Sequence, residues 1–184
     1  MQKNVKRRIY FEEVQRFTQI WLWVILIISL GAAVLPLTAS LYVQLVEGKP
    51  FGNNPSSDTT LLLTFFIVLA ISGAVIVLFW KLKLVTQVGR DALIVRFPPF
   101  FNKPKVYTPD DIASFEIRTY RPIREYGGWG IRLGLRGHGR AYNVKGKVGL
   151  QLVFKSGKRL LIGTQRADSL ARAMQRMMEG KEDA

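Results

Sequence analysis

The sequence contains no cysteine and only one histidine among its 184 residues. Without cysteine the chain has no disulfide, no thiolate metal ligand and no thiol nucleophile, and the redox compartment stays undetermined. The single histidine, His138, has no second histidine or cysteine with which to form a recognised zinc site or catalytic triad. These absences predict a protein that is not an enzyme and that uses neither a metal nor another cofactor.

Acidic residues are also scarce, and the charge is unevenly distributed. The chain has 27 Lys and Arg against 13 Asp and Glu, a net charge of +14, although 48% of its residues are hydrophobic. Residues 1–80 carry six basic and four acidic side chains, whereas residues 81–184 carry 21 and nine. An apolar part of the chain therefore precedes a strongly basic part.

Two long runs, 20–46 and 59–80, contain no ionisable Asp, Glu, Lys, Arg or His. A bilayer core needs about 20 apolar residues in a helix, so each run is long enough to cross it. The first run is also longer than the apolar core of a cleaved signal peptide, and we expect it to be retained. The sequence thus predicts an N-terminal segment at 1–17, a transmembrane helical hairpin at 18–80 and a further domain at 81–184.

Basic residues flank both spans on the side away from the connecting loop, Glu47–Asp58. They are Lys3, Lys6, Arg7, Arg8 and Arg16 before the first span, and Lys81, Lys83, Arg90 and Arg96 after the second. The positive-inside rule therefore predicts a two-span protein of the plasma (inner) membrane with both termini in the cytoplasm. Because the spans lack ionisable groups, we expect an anchor rather than a transport pathway, with oligomerisation possible through small residues such as Gly31 and Gly73.

Residues 81–184 follow a pattern that is mostly that of strands. Apolar side chains alternate from Leu82 to Val88, from Leu93 to Phe97 and from Val148 to Phe154, and Lys155–Lys158 forms a hairpin turn. Residues 100–104 are predicted to be a loop, and 105–107 and 112–120 to be strands. The last element changes period, since Leu170, Ala173, Met174, Met177 and Met178 share one helical face. Thr164 or Asp168 could cap this helix at its start and Gly180 at its end.

The predicted fold is therefore a membrane α-helical hairpin joined to a mainly β domain. That domain is a small barrel or sandwich of about seven antiparallel strands with a C-terminal amphipathic helix. The chain resembles uncharacterised prokaryotic membrane proteins that join a transmembrane hairpin to a bacterial pleckstrin-homology-like (PH-like) domain. The resemblance rests on Phe11–Phe17, Tyr120–Arg132, Ala141–Gly146 and Leu161–Gln165; it implies the fold and assigns no activity to individual residues.

The segment from Gly127 to Gly149 is rich in glycine, yet it matches neither the phosphate-binding loop nor the dinucleotide-binding fingerprint. We interpret the glycines as positions for tight turns and strand bends. Basic and aromatic residues cluster in and around the same stretch, and they form the candidate lipid or ligand surface: Arg118, Arg121, Arg124, Tyr126, Trp129, Arg132, Arg136, Arg140, Lys145 and Lys147. Most of these cations are arginines, whose planar guanidinium suits phosphates and carboxylates.

A basic surface tethered to a bilayer is typical of a protein that meets anionic phospholipid headgroups. The sequence therefore predicts a membrane-anchored, non-enzymatic binding or scaffold module that contacts anionic lipid, membrane-protein partners or another copy of itself. Positive-inside bias alone would also explain the charge. The alternatives are a membrane-tethered nucleic-acid-binding protein, which lacks support from any recognised motif, and an accessory subunit of a membrane transporter or enzyme complex.

Overall fold

A computed structural model of the chain describes residues 9–134 and 137–180. The basic residues that precede position 9, and Arg136 of the candidate surface, lie outside these described residues. The chain divides into two compact units, one of residues 18–81 and one in which the N-terminal segment, through Phe17, joins the chain from Leu82 onward.

The first unit consists of two long apolar helices. Helix α1 spans Ile20–Leu41 and continues as a π-helical turn over Tyr42–Val46, and helix α2 spans Asp58–Lys81. Their mean hydropathies are 2.5 and 2.9, so both are long and apolar enough to cross a membrane. Helix α1 runs through Pro36, whose carbonyl accepts a hydrogen bond from the Ser40 hydroxyl at 2.7 Å.

The ends of the loop between the helices are tied together by one side chain. The Gln44 amide donates to the Asp58 carboxylate at 2.6 Å and to the Ser56 carbonyl at 2.7 Å. Asp58 also lies in the first turn of α2, where a negative charge complements the helix dipole. The loop therefore has defined ends although it carries Gly, Pro, Asn and Ser.

The second unit is mainly β and contains two sheets. The strands are β1 Ile9–Arg16, β2 Lys83–Gly89, β3 Leu93–Phe97, β4 Phe101–Tyr107, β5 Ile112–Thr119, β6 Gly130–Leu133, β7 Arg140–Asn143, β8 Val148–Phe154 and β9 Arg159–Gly163. A four-stranded sheet has the order β1-β2-β3-β4, and a five-stranded sheet has the order β5-β8-β9-β7-β6. Two helices complete the unit: the short helix α3, Pro122–Tyr126, and the longer helix α4, Ala167–Glu179, which follows the last strand.

Three details differ from the sequence prediction. The described residues contain nine strands rather than about seven, and β7 pairs with β9 in parallel, with Arg140 opposite Leu160. The stretch predicted as a loop at 100–104 belongs largely to β4, because its residues pair with β3 after an irregularity in register. The segment at 1–17 is not separate: its residues Ile9–Arg16 form β1, which pairs antiparallel with β2.

Helix α4 packs on strands of both sheets, β1 and β2 of one and β5 and β8 of the other. Its apolar face is the predicted one, with Leu170, Ala173, Met174 and Met177 buried and Met178 half-buried. Burying a Leu or Met side chain stabilises a fold by about 1.5–3 kcal/mol, so this face is a main part of the core. Arg166, rather than the predicted Thr164 or Asp168, occupies the N-cap position of this helix, and its side chain makes no capping hydrogen bond. Its backbone N–H donates to the Thr164 hydroxyl at 3.0 Å.

Candidate functional site

The candidate surface is built on a framework of hydrogen bonds between two glycine-rich segments. The Asn143 side chain, fully buried, donates to the Tyr120 hydroxyl at 3.0 Å and accepts from the Gly130 N–H at 2.9 Å. The Tyr120 N–H donates to the Lys147 carbonyl at 2.7 Å. Residues 120–130 and 143–147 are therefore fixed against each other.

Helix α3 is a single short turn whose backbone groups have hydrogen-bond partners at both ends. Pro122 lies at its first turn, where the missing N–H has no helical partner in any case. The Glu125 carboxylate accepts from the Arg121 N–H at 2.6 Å, and Gly127 ends the helix with a φ of 68°. This positive φ favours glycine, so the sequence Tyr126-Gly127 defines where the helix stops.

Arg118 and Glu125 form an ion pair beneath the surface rather than a part of it. The Arg118 Nη2 atom lies 2.8 Å from Glu125 Oε2, and the same guanidinium donates to Gln151 Oε1 at 3.1 Å and to the Tyr126 hydroxyl at 3.2 Å. Burial disfavours the charged form of Glu125, but hydrogen bonds from the Arg118 side chain and the Arg121 N–H outweigh it and lower its pKa. Arg118 thus serves an internal network.

Tyr126 is also internal. Its side chain is only 2% exposed, its ring packs edge-on against Tyr120 with centroids 5.9 Å apart, and its hydroxyl donates to the His138 carbonyl at 3.3 Å. Burial raises the pKa of Tyr120 to about 12, so this pair of rings is neutral. Of the predicted surface residues, Tyr126 is therefore buried and Arg118 is engaged in a partly buried ion pair.

Trp129 joins the two glycine-rich segments. Its indole Nε1–H donates to the Gly146 carbonyl at 3.3 Å, and its own carbonyl accepts from Arg132 Nε at 2.9 Å. Trp129 is half-buried, and its two hydrogen bonds help to hold the segments that carry the cations.

The remaining cations of the candidate surface divide into two places. Exposed Arg121, Arg124, Arg132 and Lys147 and half-exposed Lys145 lie on the segments that Trp129, Tyr120 and Asn143 hold together; we call these five residues the basic rim. Arg140 instead begins β7, opposite Leu133 of β6 and Leu160 of β9, and so lies one register position from Arg132.

Sequence reasoning missed the residues that organise these cations. Asn143 was quoted only as part of a family resemblance, although an Asn between apolar residues and a glycine-rich turn is a signal for a buried structural amide. Lys155 and Lys158, in the predicted hairpin turn, and Arg159, which follows it, line the same surface depression as Arg140. Across 9–134 and 137–180, no three His, Asp or Glu side chains are grouped so that they could hold a metal ion.

Guanidinium and ammonium groups on a fixed backbone can bind phosphate or carboxylate oxygens through charge-assisted hydrogen bonds. In comparisons with known proteins, no family model matches the chain, and no curated protein or solved structure is significantly similar to it. Function is therefore inferred from the chemistry of the basic rim and from the two apolar helices.

Proposed function

We propose that the protein is a membrane-anchored binding module whose cytoplasmic β domain contacts anionic phospholipid headgroups through the basic rim. The observation that carries this proposal is the grouping of five cations on two segments that share a hydrogen-bonded framework. The only carboxylate within this framework, Glu125, is occupied by Arg118, so it does not neutralise the rim.

Two features support the membrane part of the proposal. Both long helices are apolar and largely exposed along their length, as expected of lipid-facing spans rather than core helices. The described positive residues at the chain ends of the hairpin, Arg16, Lys81 and Lys83, contrast with a connecting loop that holds Lys49 alone among the cations. We therefore propose two spans in the inner membrane, with both termini in the cytoplasm.

We also propose that the β domain is PH-like. Two sheets and an amphipathic helix, α4, that contacts both of them support this assignment. The domain differs from the predicted set of about seven antiparallel strands, because nine strands are described and β7 pairs with β9 in parallel. The first of these strands, β1, comes from the chain that precedes the spans.

The energetics favour contact without a deep binding pocket. Each Lys or Arg near an anionic leaflet contributes about 1 kcal/mol, so five would contribute up to roughly 5 kcal/mol. The spans already hold the domain at the bilayer, so the basic rim meets the lipid headgroups at a high effective concentration. Headgroup binding therefore does not have to bring the protein to the membrane. Screening by salt should weaken it, because exposed charges interact over about 8 Å at physiological ionic strength.

The absence of cysteine allows a sharp experiment on the full-length protein. We would place a single nitroxide label at Ile123→Cys, an exposed position of α3 between Arg121 and Arg124, and reconstitute the protein into nanodiscs. Phosphatidylglycerol added to phosphatidylcholine should increase the label's collisions with oxygen and decrease those with a water-soluble nickel complex. High salt should reverse both changes.

The matched variants neutralise three cations of the basic rim or two exposed cations of α4. Arg121→Gln, Arg124→Gln and Arg132→Gln together should abolish the response to phosphatidylglycerol, whereas Arg172→Gln with Arg176→Gln should preserve it. An equal response in neutral and anionic nanodiscs, or a response that survives the triple substitution, would refute lipid binding by the basic rim.

The same cysteine-free background tests the topology. A membrane-impermeant maleimide should label Asn53→Cys, in the connecting loop, on intact cells. Ser156→Cys, in the β8–β9 turn, should react only after the membrane is opened. The reverse pattern would overturn the cytoplasmic placement of the β domain without bearing on its lipid affinity.

A further inference from the structure

A cleft of about 850 Å³ opens in the β unit beside the β8–β9 turn. One wall comes from the end of β4 at Val106 and Tyr107, and the other comes from β7 and β9 at Arg140 and Leu160. None of the five residues of the basic rim lines it. This volume falls within the range of about 300–1,000 Å³ that is typical of small-molecule sites.

Aromatic rings form the apolar part of the lining. The Tyr107 and Phe154 rings lie 5.1 Å apart between centroids, and Tyr142 extends the same lining. Burial, together with the nearby Tyr142, raises the pKa of Tyr107 to about 12. Tyr107 is therefore neutral at physiological pH, and its hydroxyl, which is hydrogen-bonded with Tyr142, is a polar group beside these rings.

Cations outnumber carboxylates around the cleft. Arg140, Lys155, Lys158 and Arg159 all line it, against Asp110 and Asp111. The Asp111 carboxylate is occupied, since it accepts from the Thr108 N–H at 2.9 Å and from the Thr108 hydroxyl at 2.8 Å to close the turn before β5. The lining thus combines an aromatic surface with an excess of positive charge.

We propose that this cleft binds a small organic anion that carries one phosphate or carboxylate group on an apolar body. Arg140, which lines the cleft with Tyr107, holds the anionic group, because a planar guanidinium group pairs well with phosphate and carboxylate oxygens. The body of the ligand packs on Tyr107 and Phe154. This site shares no residue with the basic rim, so it stands independently of the lipid-binding proposal.

The test uses full-length protein in nanodiscs of neutral phosphatidylcholine, with 1-naphthyl phosphate as the probe and calorimetry as the readout. The probe should bind at one site per chain, and inorganic phosphate and neutral 1-naphthalenemethanol should each bind at least about tenfold more weakly. Arg140→Gln should weaken binding about tenfold or more, and Phe154→Leu should weaken it severalfold. Arg176→Gln, on the exposed face of α4, should leave it unchanged.

Two results would overturn the proposal. One is binding of inorganic phosphate that is as tight as binding of the probe, which would leave the aromatic surface without a role. The other is unchanged binding in cleft variants whose melting temperatures remain those of the unmodified protein. Adding phosphatidylglycerol to the nanodisc shows whether the natural ligand is a lipid headgroup or a soluble anion. If the lipid competes with the probe, the ligand is a headgroup; if binding of the probe is unaltered, the ligand is a soluble anion. Both results support the cleft as the site.

Discussion

The Glu13 carboxylate accepts a hydrogen bond from the Thr164 hydroxyl at 2.7 Å, across 151 positions of sequence. Its second oxygen accepts from the Gln165 N–H at 2.8 Å, and the neighbouring inward side chain, Gln15, donates to the Gly163 carbonyl at 2.7 Å. Strand β1, which precedes the first apolar helix, is thereby joined to the segment that connects β9 with α4. Strand β1 and residues 163–165, far apart in the sequence, therefore meet in one core.

Replacement of Glu13 by alanine should destabilise the β domain. The substitution leaves the Thr164 hydroxyl and the Gln165 N–H without their acceptor, and each unsatisfied buried group costs about 1–3 kcal/mol. The melting temperature of the domain should fall by several degrees. Glu12→Ala is the matched control, because the Glu12 side chain points outward from the same strand and only its carbonyl accepts a bond, from Arg166 at 3.2 Å. Equal melting temperatures for the two variants would contradict the assigned role of Glu13.

Strand β1 should also be required for the β domain to fold. Phe11 and Phe17 are 4% and 7% exposed, and removal of a buried Phe side chain costs about 3–5 kcal/mol. Their joint loss approaches the whole stability of an ordinary domain, about 5–15 kcal/mol. A fragment of residues 82–184 should therefore give poorly dispersed amide NMR signals, and fusion of residues 9–17 to it through a short Gly/Ser linker should restore dispersion. A well-dispersed spectrum from the shorter fragment would show that β1 is dispensable.

The sequence predicts the elements that have one apolar face and misses those that depend on polar contacts. The α4 face of Leu170, Met174 and Met177 and the β2–β3 hairpin follow from periodicity, because burial of apolar area alone selects them. In β1, by contrast, Glu13 and Gln15 point inward while Val14 is 50% exposed. No periodicity rule anticipates this inversion, since it depends on partners at Gly163, Thr164 and Gln165.

The candidate site shows the same division between local pattern and tertiary contact. Composition directs attention to the basic segment around α3, but it cannot separate Arg118, which pairs with Glu125, from exposed Arg121 and Arg124. Arg140 is placed beside Leu160 by a parallel strand pair that connects distant parts of the sequence, and short-range turn patterns do not predict such pairs.

Two glycines near the β7 strand should differ sharply in their tolerance of alanine. Gly137 and Gly139 have similar positive φ values of 80° and 78°, so alanine is strained at both, by about 1–2 kcal/mol. A Cβ at Gly137 would meet open space, whereas one at Gly139 would clash with the backbone carbonyl of Arg159 on β9. Gly139→Ala should therefore lower the melting temperature well beyond Gly137→Ala and disturb the β7–β9 pair. Comparable melting temperatures would show that this close approach is not a constraint.

The Arg118–Glu125 pair should make stability sensitive to acid. Because its pKa is lower in the folded protein than in the unfolded chain, Glu125 contributes stability that is fully present above its unfolded pKa of about 4.5 and is lost as pH falls through the folded value. The melting-temperature difference between the unmodified protein and Glu125→Gln should therefore be largest near neutral pH and should shrink below about pH 4.

Two other charges bear on this titration and determine its controls. His138 Nε2 lies 3.6 Å from Glu125 Oε2, and it also acts to lower the pKa of that carboxylate. His138→Asn in both backgrounds removes that contribution and isolates the carboxylate. Glu116→Gln, at an exposed position on the same strand as Arg118, should change the melting temperature little at either pH. A pH-independent difference for Glu125→Gln would mean that the ion pair does not stabilise the fold.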